Sequence, residues 1–246
     1  MTFVGHGRGS RRAGRSSIDQ FRARRRKVLR ESWRDWLPTV AFAGGCIVAA
    51  VLFDSRSAAL IFAGLAGSAI TLCLLGWFIG GDVYSLPWMW GAIGERQTAE
   101  ALDGLDDSWT CEHDLPRRRG NWDHVLIGPP GVFLLESKRL TPGVAVEGDA
   151  LVAGRSSYAG GGFRGSAASL HEALAPRMRR PFWVRAVVVV WGDFPQRRVE
   201  RDRVVYLHGS ELLPWLRSQP GRLSADECDD LVEAVREIRA AGAPAS

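Results

Sequence analysis

NWDHVLIGPPGVFLLESKRL, residues 121–140, reads as two apolar strands joined at Gly128-Pro129-Pro130-Gly131, with an acid near the start of the first and Glu-Ser-Lys at the end of the second. Side chains alternate along a strand with period two. Val132, Leu134, Glu136 and Lys138 therefore share one face, and Phe133, Leu135 and Ser137 the other. Antiparallel strands that turn near 128–131 put Asp123 roughly opposite Glu136, so the two carboxylates can meet.

Two acids so placed repel and raise each other's pKa unless a cation lies between them, and a hard divalent ion is the natural occupant. Mg2+ or Mn2+ fits oxygen ligands; zinc would call for His or Cys. Beside phosphate oxygens such an ion stabilises charge on the phosphorane and lowers the pKa of bound water, while a neighbouring Lys orients that water. An acid followed at about this distance by Glu-x-Lys is a constellation that phosphodiesterases use. Lys138 is one of only two lysines, with Lys27, and the other thirty basic residues are Arg. A planar guanidinium does not replace a compact ammonium where point charge matters.

The 246-residue chain is 46% hydrophobic, enough for one sizeable core. Its charge is uneven. Residues 1–35 hold eleven Arg or Lys against Asp19, Glu31 and Asp35, net +8; with +5 for the whole chain, the remainder carries −3. The high pI thus describes the arm, and the rest is no broad cationic surface. Cys46 and Cys73 lie in apolar runs and Cys111 and Cys228 stand apart, a spacing that implies neither a disulfide framework nor a zinc site.

Two charge-free stretches, 37–53 and 58–80, approach the roughly 17–25 residues that span hydrocarbon as a helix. They leave no polar face for water, and their length and number do not fit a cleaved signal peptide. Only Asp54-Ser55-Arg56-Ser57 separates them, so the expected form is a transmembrane hairpin with both termini on one side. The Arg-rich arm makes that side cytoplasmic at the cell inner (plasma) membrane. Trp33, Trp36, Trp77, Trp88 and Trp90 suit an interfacial belt at that face, and Gly44, Gly45, Gly64 and Gly67 would permit close helix contact. The arm itself reads as a topology determinant on anionic lipid, with nucleic-acid contact as the alternative.

Beyond the spans, a helical pattern over 91–105 offers Ala92, Ile93, Ala99, Leu102 and Leu105 to a core. Strands follow at 109–115 and in the opening hairpin. A further hairpin crosses Gly148-Asp149, a helix covers 165–178, and RAVVVVWG (185–192) is apolar on both faces, as buried central strands are. A strand at 204–207, a short helix at 210–216 and a capping box, Ser224 to Glu227, opening a last helix complete an α/β order.

GERQTAEAL (94–102), HDL (113–115) and DHVLIGPPGVFLLESK (123–138) resemble, in order and spacing, the nuclease-related domain, NERD, of the PD-(D/E)xK restriction-endonuclease-like superfamily. The resemblance runs from about Gly91 to Leu216. It implies a central mixed sheet flanked by helices, Glu95, Asp123 and Glu136 around Mg2+ or Mn2+, and Lys138 as catalytic lysine. Trp122 stands where the superfamily has proline, and SSYAGGGFRGSAASLHEAL lacks the polar helix with Gln common after the catalytic strand. The expected organisation is a basic arm (1–35), a hairpin (36–81), a nuclease-like domain (91–216), and a C-terminal helix and tail (217–246). The implied activity is hydrolysis of DNA, or of RNA; the rival is a catalytically silent membrane module that binds nucleic acid or a protein.

Among other residues, His124 points away from Asp123 and reads as packing or support. His171 and His208 read as surface or capping groups, and Glu100 as a solvent-face residue. Arg117, Arg118 and Arg119 form a turn open to phosphate. Gly160-Gly161-Gly162 lacks the strand and helix flanks of a nucleotide loop, and no Walker or Ser-His-Asp signature occurs.

Overall fold

The computed structural model describes residues 18, 19, 22, 23, 26, 27, 30, 37–52, 56–83, 86–118, 120–178 and 180–242, with backbone alone at 59 and 76–88. The chain divides into two compact units, Ile18–Met89 and the residues from Trp90 onward.

In the first unit, α1 (Leu37–Leu52) packs on α2 (Arg56–Val83) through the small side chains of Ala43, Cys46 and Ala66, flanked by Phe62 and Ala69. The four glycines expected at this contact are not in it: a methyl group at Gly44, Gly45, Gly64 or Gly67 would meet nothing within 4 Å. Most large side chains point outward, among them Val48, Val51, Leu60, Ile61 and Leu72. Arg56–Leu75 is long and apolar enough to cross a membrane by length and composition. The 16 residues of α1 reach only about 24 Å at 1.5 Å each, short of a typical hydrocarbon core of about 30 Å. Arg56 and Ser57, expected in the connecting loop, form the first turn of α2; 53–55 lie outside the described residues, as do Trp33, Trp36 and most of the basic arm.

The second unit is built on a six-stranded mixed sheet. Its strands are β1 (Thr110–Pro116), β2 (Asn121–Gly128), β3 (Gly131–Leu140), β7 (Val184–Gly192), β8 (Arg198–Arg201) and β9 (Val204–His208), in the order β1-β2-β3-β7-β9-β8. β3, β7 and β9 run parallel; the other pairs are antiparallel. A separate small sheet holds β4 (Val144–Glu147), β5 (Ala150–Ala153) and β6 (Ser156–Ala159). The helices are α3 (Leu86–Leu102), α4 (Gly160–Leu174), α5 (Leu212–Arg217) and α6 (Ala225–Gly242).

The Val187–Val190 run of β7 is buried on both faces, because the sheet divides two apolar layers. On one face Val125, Val132, Leu134 and Val188 meet Leu170 of α4 and Leu231 and Val235 of α6. On the other, Leu126, Phe133, Leu135 and Val189 meet Leu102, Trp109 and Trp215. The C-terminal helix is thus part of the main core. The expected capping box is formed: Glu227 accepts from Ser224 N–H at 2.8 Å, and Ser224 Oγ from Glu227 N–H at 3.3 Å. The Gly160-Gly161-Gly162 run has both a preceding strand, β6, and a following helix, contrary to the sequence reading, yet it lies inside the first turn of α4 and forms no loop.

Gly128, at the end of β2, faces the Trp109 ring so closely that a Cβ would come within 2.4 Å of it. Gly128→Ala is expected to cost about 1–3 kcal/mol by overpacking, read as a lowered urea midpoint.

Candidate active site

The hairpin has the register its alternation implies. β2 pairs with β3 through Gly128–Gly131, Leu126–Phe133 and His124–Leu135, and there the ladder ends; one step further would place Asp123 opposite Glu136. From that point β3 keeps β7 as its neighbour, while Trp122 and Asn121 of β2 pair with Leu115 and Pro116 of β1. The strands part, and the side chain takes over from the backbone: Asp123 Oδ2 accepts the Ser137 N–H at 3.0 Å.

Four polar groups gather in this opening. Glu136 and Lys138 project from the same face of β3 and form an ion pair at 2.8 Å. The Lys138 Nζ also lies 5.4 Å over the Tyr158 ring of β6. Glu95 is buried on α3, whose path is tight there: a Cβ on Gly94 would come within 3.3 Å of Arg139. Asp123 is within electrostatic reach of all three. Burial raises its pKa well above the usual carboxylate range, and the negative charges of Glu136 and Glu95 raise it further, against the opposing pull of Lys138 and the Ser137 N–H. For Lys138, burial alone would lower the pKa, but Glu136 and Asp123 outweigh it and hold the ammonium above its ordinary value. The site therefore holds three carboxylates, whose oxygens are hard ligands, and one fixed ammonium, with more negative charge than Lys138 balances. Carboxylate oxygens are the ligands that a hard divalent ion takes.

Behind the acids, on the opposite face of β2 and β3, runs a buried polar chain whose donors can be assigned from its far end. Trp191 Nε1–H donates to Thr98 Oγ1 at 2.8 Å, and Thr98 donates to the Gly94 carbonyl at 3.1 Å. Thr98 must then accept from Ser137 Oγ at 2.7 Å, which leaves Ser137 to accept from His124 Nε2–H at 3.1 Å. His124 Nδ1 is left as an acceptor, and the Nδ1–H of His113 approaches it at 2.6 Å. Cys111 Sγ lies 3.8 Å from that His113 nitrogen. Burial lowers the pKa of both histidines and raises that of the Cys111 thiol, so all three are neutral here. Thr98 follows Glu95 by one helical turn, Ser137 sits between Glu136 and Lys138, and His124 follows Asp123. One chain of hydrogen bonds ties together the three elements that carry the acids.

His124 occupies the supporting place expected of it, but its partners His113, Ser137 and Thr98 were not foreseen. Strand pairing, which sets His113 against His124, reveals the first of them, and the packing of α3 on the sheet the others. His208 caps a short turn by accepting from Ser210 N–H, and the His171 ring packs against Phe182 and Trp183. Glu100 is exposed. Arg117 donates to Ser166 Oγ at 3.1 Å, Arg118 is exposed, and Arg119 lies outside the described residues. Trp90 lies under the Arg139 guanidinium at 4.8 Å.

An α/β domain whose mixed sheet opens over three acids and a lysine is the class that this geometry defines. Residues 90–190 match the family model described as NERD, nuclease-related domain, which makes this stretch similar to a nuclease-related domain and nuclease-like in character. No curated protein and no solved structure matches the chain.

Because Asp123 has a raised pKa in the folded protein, the native state without metal holds its proton more tightly than the unfolded chain, and stability falls as pH rises above the ordinary carboxylate range. Asp123→Asn, which can still accept from Ser137 N–H, is expected to raise the melting temperature of metal-free protein at pH 7. The difference should vanish as the pH is brought down to about 4, as followed by thermal denaturation across that range.

Proposed function

We propose that this chain is a membrane-anchored, metal-dependent nuclease that hydrolyses phosphodiester bonds of DNA, or of RNA, with its catalytic domain on the cytoplasmic face of the inner (plasma) membrane. The observation that carries the reading is the gathering of Glu95, Asp123 and Glu136 beside Lys138 where β2 leaves β3. The similarity of residues 90–190 to a nuclease-related domain supports the same chemistry.

In this reading Glu95, Asp123 and Glu136 hold one Mg2+ or Mn2+ ion. When bound, that ion supplies positive charge to the phosphate oxygens and a lowered pKa to water at the site. The chain's own groups do the rest. Asp123, fixed through Oδ2 by the Ser137 N–H, keeps its other oxygen for the ion. Lys138, held by Glu136, orients the attacking water and neutralises charge that develops on the phosphorane. The hydrogen-bonded chain behind the acids keeps their backbones from shifting as charge builds.

Membrane attachment rests on the apolar helix Arg56–Leu75 and its outward-facing large side chains, with α1 as the second, shorter span. The arm of net +8 supports cytoplasmic termini by the positive-inside rule and, by its charge, can add phosphate contacts. That net charge of −3 beyond the arm is the one observation favouring the rival, a silent module that binds nucleic acid or a protein through the same fold.

Cleavage assays on the full chain in detergent separate the two. With Mg2+ or Mn2+ the wild type is expected to cut plasmid, linear DNA or RNA, and Lys138→Ala and Asp123→Ala to lose at least about a hundredfold in rate; intact substrates throughout would leave the silent module. Reporter fusions after Arg8 and after Ser246 are both expected to read cytoplasmic, and opposite readings at the two ends would mean that a single helix crosses.

A further inference from the structure

The hydrogen-bonded chain behind the acids ends in three side chains that the proposed reaction does not use. Cys111 and His113 lie two residues apart on β1 and so face the same way, and His124 stands directly across from His113 on β2. One ligand atom from each of the three lies within 4.8 Å of the other two; Cys111 Sγ is 3.8 Å from His113 Nδ1, which is 2.6 Å from His124 Nδ1. Both imidazoles are buried and Cys111 is half-buried.

We propose that Cys111, His113 and His124 form a second metal site, for a zinc-class divalent ion, separate from the Asp123 and Glu136 carboxylates on the other face of the sheet. The ligand chemistry sorts the two sites. A thiolate and two imidazoles select zinc and its softer neighbours, whereas the carboxylates select Mg2+ or Mn2+.

The tautomers support the assignment. The chain from Trp191 and Thr98 through Ser137 obliges His124 to keep its proton on Nε2, so its Nδ1 lone pair already points toward His113 Nδ1, the nitrogen that Cys111 Sγ also approaches. A metal-bound histidine is commonly held in this way, with its second ring nitrogen hydrogen-bonded to a neighbour that fixes its orientation. In the metal-free arrangement the two Nδ1 atoms share the His113 proton at 2.6 Å. An ion takes that proton's place: His113 carries its hydrogen on Nε2 instead, the Cys111 thiol releases one proton to solvent, and the Nδ1 atoms move apart to about 3.3 Å, the separation that metal–nitrogen bonds of about 2.0 Å impose at a tetrahedral centre. The fourth position is left for water or another donor. The bound ion would pin β1 to β2 one residue from Asp123. The proposal does not depend on nuclease activity, since a chain that cleaves nothing can still bind this ion.

The test uses the full chain in detergent, freed of metal with a chelator and titrated with Co2+. One equivalent is expected to give a thiolate-to-cobalt charge-transfer band that one equivalent of Zn2+ removes and excess Mg2+ does not. The band should be absent in Cys111→Ser and persist in Asp123→Asn, and Ser137→Ala should weaken binding by about ten- to a hundredfold. X-ray absorption on the zinc-loaded wild type covers the case in which a variant fails to fold. It should show one sulfur at about 2.3 Å and imidazole nitrogens at about 2.0 Å. No charge-transfer band, a band retained in Cys111→Ser or lost in Asp123→Asn, or a zinc shell without sulfur would overturn the proposal and leave the three side chains as the end of a hydrogen-bonded chain.

Discussion

Ser137 is the point on which the site depends. Its backbone N–H goes to Asp123 just where the β2–β3 ladder stops, and its hydroxyl sits between His124 and Thr98 on the other face. Through one residue the acid of β2, the Glu136–Lys138 pair of β3 and the helix bearing Glu95 are held in one arrangement. A buried chain of this kind is favourable only when every member is satisfied, and here each hydroxyl and ring nitrogen from Trp191 to the shared His113–His124 proton has a partner. The cost of crowding carboxylates is carried by Asp123, whose proton affinity is raised, and is offset in part by the Lys138 ammonium.

The opposition of Asp123 and Glu136 was legible because two rules act together: period-two alternation fixes the faces, and a Gly-Pro-Pro-Gly turn fixes the register. The buried β7 run was legible for a different reason, since its unbroken valines leave no polar face. Glu95 was not accessible that way. Nothing in helix periodicity says that this acid reaches the sheet, and only the resemblance to nuclease-related domains brought it in. β8 (RVER) and β6 (SSYA) escaped notice because both are exposed edge strands without an apolar alternation, and a charged edge is how sheets avoid pairing with other chains. The start of α4 was misplaced by five residues because a run of three glycines reads as loop; the helix nonetheless begins there, directly after β6.

Cys111, His113 and His124 mark another limit. Their spacing along the chain matches no common metal-ligand pattern. They meet because β1 and β2 pair in a register that sets 113 against 124, which is a fact of three-dimensional pairing. The two faces of one hairpin thereby carry opposite chemistries, hard carboxylates on one and nitrogen and sulfur on the other.

The most direct test is a crystal structure of the full chain grown with Mn2+, with the ion located by its anomalous scattering. The account predicts a peak bridging Glu95, Asp123 and Glu136 with the Lys138 ammonium beside it. Those four groups turned apart, with no manganese among them, would contradict it and leave an α/β domain with no basis for hydrolysis.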